Sequence, residues 1–355
     1  MKTLKIGQLE AKIPIIQGGM GVGISMANLA SSVANEGAIG VISAAGVGMF
    51  ENERIKDFDY ENTVALTKEI LKAKENSSGI IGVNIMVAMT NYKELVQSAL
   101  DANVDIIFSG AGLPLDLPAL LKQNTHTKIV PIISSARAAK LITKRWISKY
   151  NYVPDAFVIE GPKAGGHLGF KAEDIKQNTF TLETILQETK EILLPFEDTH
   201  NQAIPLIVAG GIYTGKDIHK FLSLGADGVQ MATRFVTTVE CDASDAFKQT
   251  YIDAKQEDIR LIKSPVGLPG RAIFNPYLKL VEEGKKHPFS CPYNCIITCK
   301  KEEAPYCISL ALYNAKIGKL SHGFAFAGTN AYRAEKIISV HNLLDELIEE
   351  YNNAL

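Results

Sequence analysis

Nowhere in the 355 residues is there an apolar run of about 18 residues, the length a membrane-spanning helix requires. The opening stretch, Met1–Gly19, also lacks the apolar core and small-residue cleavage site of a secretory signal, so a cytoplasmic location is expected. Charge of either sign is not in excess: 37 Lys and Arg face 39 Asp and Glu, a formal net charge of −2, with no acidic or basic tail. That balance argues against nucleic acid or a membrane surface as partner. Low-complexity segments and long linkers are missing too, and the spacing of the elements is too irregular for a solenoid.

What remains is the composition of an ordinary globular enzyme, 46% hydrophobic and 21% charged. From the start to about Phe235, short β-branched runs alternate with amphipathic helical stretches. Eight strands are expected at Ile13–Gln17, Ala38–Ser43, Ile80–Met86, Asp105–Gly110, Lys128–Ser135, Asp155–Gly161, Ile204–Gly211 and Gly228–Phe235. Nearly continuous apolar runs of this kind mark parallel strands covered on both faces, and eight of them favour a (β/α)8 barrel over an open sheet. Helices are expected at Ser25–Glu36, Tyr92–Ala102, Ala136–Tyr150, Leu182–Leu194 and Thr214–Leu224. The regularity breaks down through Lys263–Asn330, and apolar residues at helical spacing return in Ala331–Tyr351. The expected organisation is a barrel over residues 1–260, a cysteine-bearing cap over 261–330 and a final helix over 331–355 packed on the barrel.

Glycines gather where strands end, the face on which such barrels assemble their active sites. Gly18-Gly19-Met20 follows the first strand and reads either as a plain turn or as backbone that passes close to a flat cofactor. Ala209-Gly210-Gly211 ends the seventh strand and Gln230-Met231-Ala232-Thr233-Arg234 runs through the eighth, where barrels commonly hold a phosphate. Arg234 could add charge there or pair with a core carboxylate. After the sixth strand, Gly165-Gly166 deliver His167 to the barrel mouth, where a group titrating near neutrality can move a proton. The other six histidines, His126, His200, His219, His287, His322 and His341, read as structural. Four of the five cysteines, Cys291, Cys295, Cys299 and Cys307, crowd together, whereas Cys241 stands apart. Their number suits zinc, a [4Fe–4S] cluster or unligated thiols, with the irregular spacing leaning toward the cluster.

At Gln17–Met20, Asn84, Ala164–His167, Ala209–Gly211 and Gln230–Arg234 the chain resembles the nitronate monooxygenase family, which includes the flavin-dependent enoyl-acyl-carrier-protein reductases of the second type. The likeness covers essentially the whole barrel. It implies an FMN-dependent oxidoreductase with the flavin over the barrel mouth. Gly18, Gly19, Met20 and Asn84 would lie near the ring, Gly165 and Gly166 along it, and the phosphate at Gly210-Gly211 and Met231-Ala232-Thr233, with Ala209 and Gln230 completing the surroundings. His167 would be the acid–base residue. Common members lack a cysteine cluster, and Cys291, Cys295, Cys299 and Cys307 look like the [4Fe–4S] ligands of the branch formed by bifunctional decanoyl-acyl-carrier-protein dehydrogenase/isomerases. Ile262–Gly267, Arg271-Ala272, Ala331–Arg333 and Lys336–His341 match that branch as well, although the interval from Cys299 to Cys307 is shorter than in its pattern. The resemblance implies acyl carrier protein as partner, with Lys140, Lys144, Arg145, Lys285, Lys286, Lys300 and Lys301 as candidate contacts or merely solvated charges. A small-molecule electron acceptor is implied, and a homodimer is anticipated. The same family leaves nitronate oxidation and NAD(P)H-dependent enoyl reduction as alternatives.

Overall fold

Side chains alternate between the two faces of a strand, so a sheet buried on both sides needs apolar residues at both parities. The computed structural model, which describes residues 1–51, 57–285, 291 and 293–354, shows how that requirement is met. Its strands are β1 (Leu4–Ile6), β2 (Leu9–Ala11), β3 (Ile15–Gln17), β4 (Ile39–Ser43), β5 (Ile80–Met86), β6 (Ile106–Gly110), β7 (Lys128–Ile133), β8 (Phe157–Glu160), β9 (Gly166–His167), β10 (Leu206–Ala209), β11 (Gly228–Met231), β12 (Ile259–Lys263) and β13 (Pro269–Ile273). Eight of these close into a parallel barrel in the order β10-β11-β3-β4-β5-β6-β7-β8, a TIM barrel. One parity points inward: Ile16, Val41, Phe108, Val130, Val158 and Ile207 form a buried cluster plugged from below by Leu4, Ile6 and Ala11 of the β1–β2 hairpin. The other parity, including Ile15, Ile42, Val83, Ile107, Ile159 and Val208, packs outward against the helices.

The strands expected to begin at Asp105 and Asp155 begin one or two residues later. Those aspartates are occupied otherwise: Asp105 accepts the N–H of Ile81 at 2.8 Å and Asp155 that of Ile129 at 2.9 Å, while Asp227 takes the N–H of Leu206 at 2.8 Å. Each carboxylate ties the foot of one strand to its neighbour. The eighth strand ends at Met231, not Phe235, because the chain turns helical at Thr233–Val236 and buries Phe235 outside the barrel. The helix expected to stop before Pro195 runs Leu182–His200. A proline inside a helix costs about 3 kcal/mol, and here a left-handed Asn201 and the bond from the Ile204 N–H to Glu197 at 2.6 Å define the end instead. Helix Phe58–Asn76, not among those expected, fills the connection from β4 to β5.

The C-terminal helix is Val340–Asn352, shorter than expected, because Ser339 caps it by accepting the N–H of Asn342. Ile338 instead lies extended and bridges to Thr238. Between barrel and helix, β12 and β13 form a hairpin that pairs with β9 to make a second sheet, and helices Pro276–Glu282 and Ile308–Lys316 follow. The cysteine-bearing stretch lies on the β5 side of the mouth, where Ile297 donates to Ala88 at 2.9 Å and Met89 bridges to Ile296. Among the described residues no helix is long and apolar enough to cross a membrane.

Phe108 is fully buried inside the barrel, so Phe108→Ala should lower stability by about 3–5 kcal/mol. Urea unfolding should show a lower midpoint at an unchanged slope.

Candidate active site

Continuing the inward parity to the upper rim of each strand places one residue per strand at the mouth: Gly18, Ser43, Asn84, Gly110, Ile132, Glu160, Ala209 and Gln230. All eight line a single cavity of about 480 Å³. The same cavity takes in every cofactor position expected from the sequence, namely Gly18, Gly19, Met20, Asn84, Gly165, Gly166, Ala209, Gly210, Gly211, Gln230, Met231, Ala232 and Thr233, together with His167. Arg234 is not in its lining. It donates to the Tyr213 carbonyl at 3.2 Å and pairs with Glu346 at 3.1 Å, bracing the barrel against the C-terminal helix.

Backbone shape explains the glycines. Gly210 and Gly211 have φ of +95° and +90°, a left-handed region that disfavours side chains, and a Cβ on Gly165 would stand 2.5 Å from the backbone of Ala327. A Cβ on Gly166 would meet nothing within 4 Å, because that position opens on the cavity. Gln17 holds the first loop in place: its side chain accepts from the Val41 N–H at 3.0 Å and donates to the Gly18 carbonyl at 2.6 Å.

His167 stands at the edge of this cavity. Its main chain pairs with Gly270 of β13, its ring lies edge-on to Phe326 at 4.9 Å, and Nε2 is 2.7 Å from Ser264 Oγ. Burial lowers its pKa to about 4, so the ring is neutral at physiological pH. Two further ionisable groups belong to this part of the site, Glu160 in the cavity lining and Arg271, which holds the loop before His167. Burial raises Glu160, the ionisable group of the rim, to about 8, against the pull of the Arg271 guanidinium. Arg271 itself donates to the carbonyls of Pro162 and Ala164 at 2.8 and 2.5 Å and so fastens the loop that carries His167. Neither Ser43 nor Glu160 is among the site residues expected from the sequence, although inward parity at the ends of their strands marks both. Ser264 and Arg271 sit in segments the sequence offered only as resemblance.

Of the remaining histidines, His126 pairs with Asp105, His341 with Glu36 and Asp345, His219 packs on Tyr351 and His322 contacts Ser321. His200 is exposed at a helix end. None of these five lines the cavity. His287 and Lys286 lie outside the described residues. Lys140 and Lys144 are exposed on helix Ala136–Tyr150, Arg145 pairs with Asp116, Lys285 with Glu283, and Lys300 with Glu303.

Cys291, Cys295, Cys299 and Cys307 line one small void of about 30 Å³. Cys295 also lies 3.0 Å from Ser309 Oγ. Burial raises the thiols of Cys295, Cys299 and Cys307, that of Cys295 to about 11, and their mutual repulsion adds to it. Among the described residues no three His, Cys, Asp or Glu side chains stand close enough to hold one metal ion. Cys241 is buried elsewhere and donates to the Ile24 carbonyl. The cysteine void and the main cavity share a wall, since Cys295, Ile296 and Ile308 line both.

The sequence model of the family described as nitronate monooxygenase matches residues 2–350. The chain belongs to the nitronate monooxygenase family. It is thus an oxidoreductase built on this family's barrel. A probable nitronate monooxygenase of Staphylococcus saprophyticus is 26% identical over 310 residues, covering 80% of this chain and 81% of that protein. A (3aS,4S,5R,7aS)-5-hydroxy-7a-methyl-1-oxo-octahydro-1H-indene-4-carboxyl-CoA dehydrogenase of Mycobacterium tuberculosis is 26% identical over 273 residues, covering 77% and 66%. FabK from Thermotoga maritima superposes with a TM-score of 0.73 at 25% identity, over 96% of this chain and 93% of that one. The glycine-lined mouth suits FMN, the family's cofactor, since it leaves open space above Gly166 and polar groups from Ser43, Asn84 and Gln230 on its floor.

The depressed pKa of His167 carries a stability signature. In the unfolded chain the imidazole protonates near 6.5 and in the folded chain only near 4, so acid between these values favours unfolding. Glu160 acts in the opposite sense, since its folded pKa near 8 favours the folded state at lower pH. The difference between wild type and His167→Gln isolates the histidine: the variant should lose less stability from pH 6.5 to 4 in urea unfolding.

Proposed function

We propose that this chain is an FMN-dependent dehydrogenase of acyl thioesters, which desaturates and isomerises a medium-chain acyl group delivered by an acyl carrier protein. The observation that carries this reading is the lining of the cavity beyond His167. Phe58, Met89, Val266, Leu268, Ile296, Ile308 and Leu312 extend an apolar wall from the barrel mouth into the cap, as a hydrocarbon chain requires and a small nitro compound does not. A relative named as a carboxyl-CoA dehydrogenase supports a thioester substrate.

FMN bound at the mouth supplies the hydride acceptor. The chain's own work is positioning and proton transfer. Neutral His167 takes the proton from the carbon next to the thioester carbonyl, and for the cis-3 isomer it takes one from C4 and returns it at C2. The apolar wall keeps water from the reacting carbons. In the same proposal the four cysteines hold a [4Fe–4S] cluster. What supports it is the number and grouping of the thiols: all four line one void, and a cluster accepts four thiolates at irregular spacing. Lys140 and Lys144, exposed on a helix whose Ala138 lines the cavity, suit an acidic carrier.

The second reading is nitronate oxidation, favoured by the relatives named as probable nitronate monooxygenases. Anaerobic titration of the purified flavoprotein with decanoyl-acyl carrier protein separates the two: bleaching of the flavin with an enoyl product supports the dehydrogenase, and bleaching by a nitronate alone supports the monooxygenase. Replacement His167→Ala should reduce turnover by roughly 10²–10⁴-fold; normal turnover would remove the acid–base role. Iron and sulfide analysis should give about four of each per chain, lost in Cys295→Ala.

A further inference from the structure

His167 has two ring nitrogens, and only one of them is free to act on a substrate. Nε2 faces Ser264 Oγ at 2.7 Å. Ser264 is buried at 6% exposure and lies outside the cavity lining, whereas His167 is part of that lining. Among the described residues Nδ1 has no hydrogen-bond partner, so it is the nitrogen left for the cavity.

The placing of Ser264 is built into the chain. Ser264-Pro265-Val266-Gly267 is a turn in which Gly267 N–H bonds to the Ser264 carbonyl at 3.2 Å and Gly267 has φ of +87°. Serine at the first position, proline at the second and glycine at the fourth are the residues such a turn favours. The Val266 N–H also donates to Ser264 Oγ at 3.3 Å, which fixes the hydroxyl oxygen from the turn side. The hairpin of β12 and β13 then aligns with β9, Gly270 opposite His167, and the Leu168 N–H bonds to Pro269 at 2.9 Å. From the cap, Thr298 clamps the Val266 carbonyl at 2.7 Å and Tyr306 reaches the Lys263 carbonyl at 3.3 Å.

We propose that Ser264 is the positioning residue of His167: its hydroxyl oxygen accepts the Nε2–H and so leaves Nδ1, unprotonated, as the nitrogen that takes the substrate proton. The inference rests on the reading of His167 as the acid–base group. A hydroxyl oxygen has two lone pairs, and the Val266 N–H and the imidazole Nε2–H together fill them. When Nδ1 takes a proton, the same Nε2–H···Oγ bond is retained and strengthened by the positive charge on the ring. The proton leaves the ring again from Nδ1, and Ser264 neither gains nor loses one. Nothing else that the structure describes holds the ring in this tautomer, since Phe326 contacts it only by its edge.

The test uses the FMN-loaded full chain labelled with ¹⁵N-histidine, with His167 assigned by its loss in His167→Ala. Wild type between pH 6 and 8 should show a protonated Nε2 and a bare Nδ1. Ser264→Ala should shift these resonances toward a tautomer mixture and lower kcat for decanoyl-acyl carrier protein roughly tenfold or more with KM little changed. Ser264→Thr, which keeps the hydroxyl, should restore both. Unchanged resonances in Ser264→Ala overturn the proposal, and so does Ser264→Thr as defective as the alanine variant, which would mark a mere packing role. Flavin content and circular dichroism establish that each variant is folded. The two readings fail separately: normal turnover in His167→Ala removes the acid–base role, whereas a dead His167→Ala beside a normal Ser264→Ala removes only the positioning role.

Discussion

Closure of the parallel sheet is the constraint on which everything else depends. Eight strands hydrogen-bonded in a ring have no free edge, and the ring forces one parity of side chains into a confined interior. That interior is filled by Ile, Val and Phe up to the last layer, where filling stops and Gly18, Ser43, Asn84, Gly110, Ile132, Glu160, Ala209 and Gln230 take over. The floor of the active site is therefore the top of the hydrophobic core: Gly18, Ser43, Gly110, Glu160 and Ala209 each follow a large apolar residue two positions earlier on the inward face, whereas Asn84 and Gln230 follow Gly82 and Gly228.

The barrel alone does not complete the site. His167 belongs to a two-residue strand that has no partner in the barrel and is held by a hairpin from the segment after it. Arg271, on that hairpin, grips the carbonyls that precede His167, and Ser264, at its turn, reaches the ring. The cap thus supplies the rigidity that a glycine-rich loop lacks, and burial under it keeps the imidazole neutral. The cysteine stretch takes part through Thr298 and through the wall shared at Cys295, Ile296 and Ile308, so the chemistry of the thiols and the shape of the substrate cavity are physically joined.

Much of this was legible beforehand. The eight strands, the glycines at their ends and His167 among them follow from local pattern, because parallel strands must be apolar at both parities and backbone must be bare where it passes close to other backbone. Errors collected at boundaries. Asp105 and Asp155 read as strand residues until their carboxylates are seen to tie adjacent strands together, and Ile337 and Ile338 read as helix because apolar spacing does not reveal that Ser339 is the cap. Arg234 read first as a phosphate contact and second as a structural partner, and the position of Glu346 decides for the latter.

By itself, then, the sequence determined the barrel, the face that carries the site, the glycine positions and the presence of a histidine and four clustered cysteines, since each depends on residues close together in the chain. Tertiary structure decided that Nε2 of His167 meets Ser264, that Glu160 shares its cavity while Arg271 fastens its loop, and that the cysteines line one void beside that cavity. Those relations join residues as far apart as 167 and 264, and a contact across such a distance is set by how strands register and pack, which no local spacing encodes.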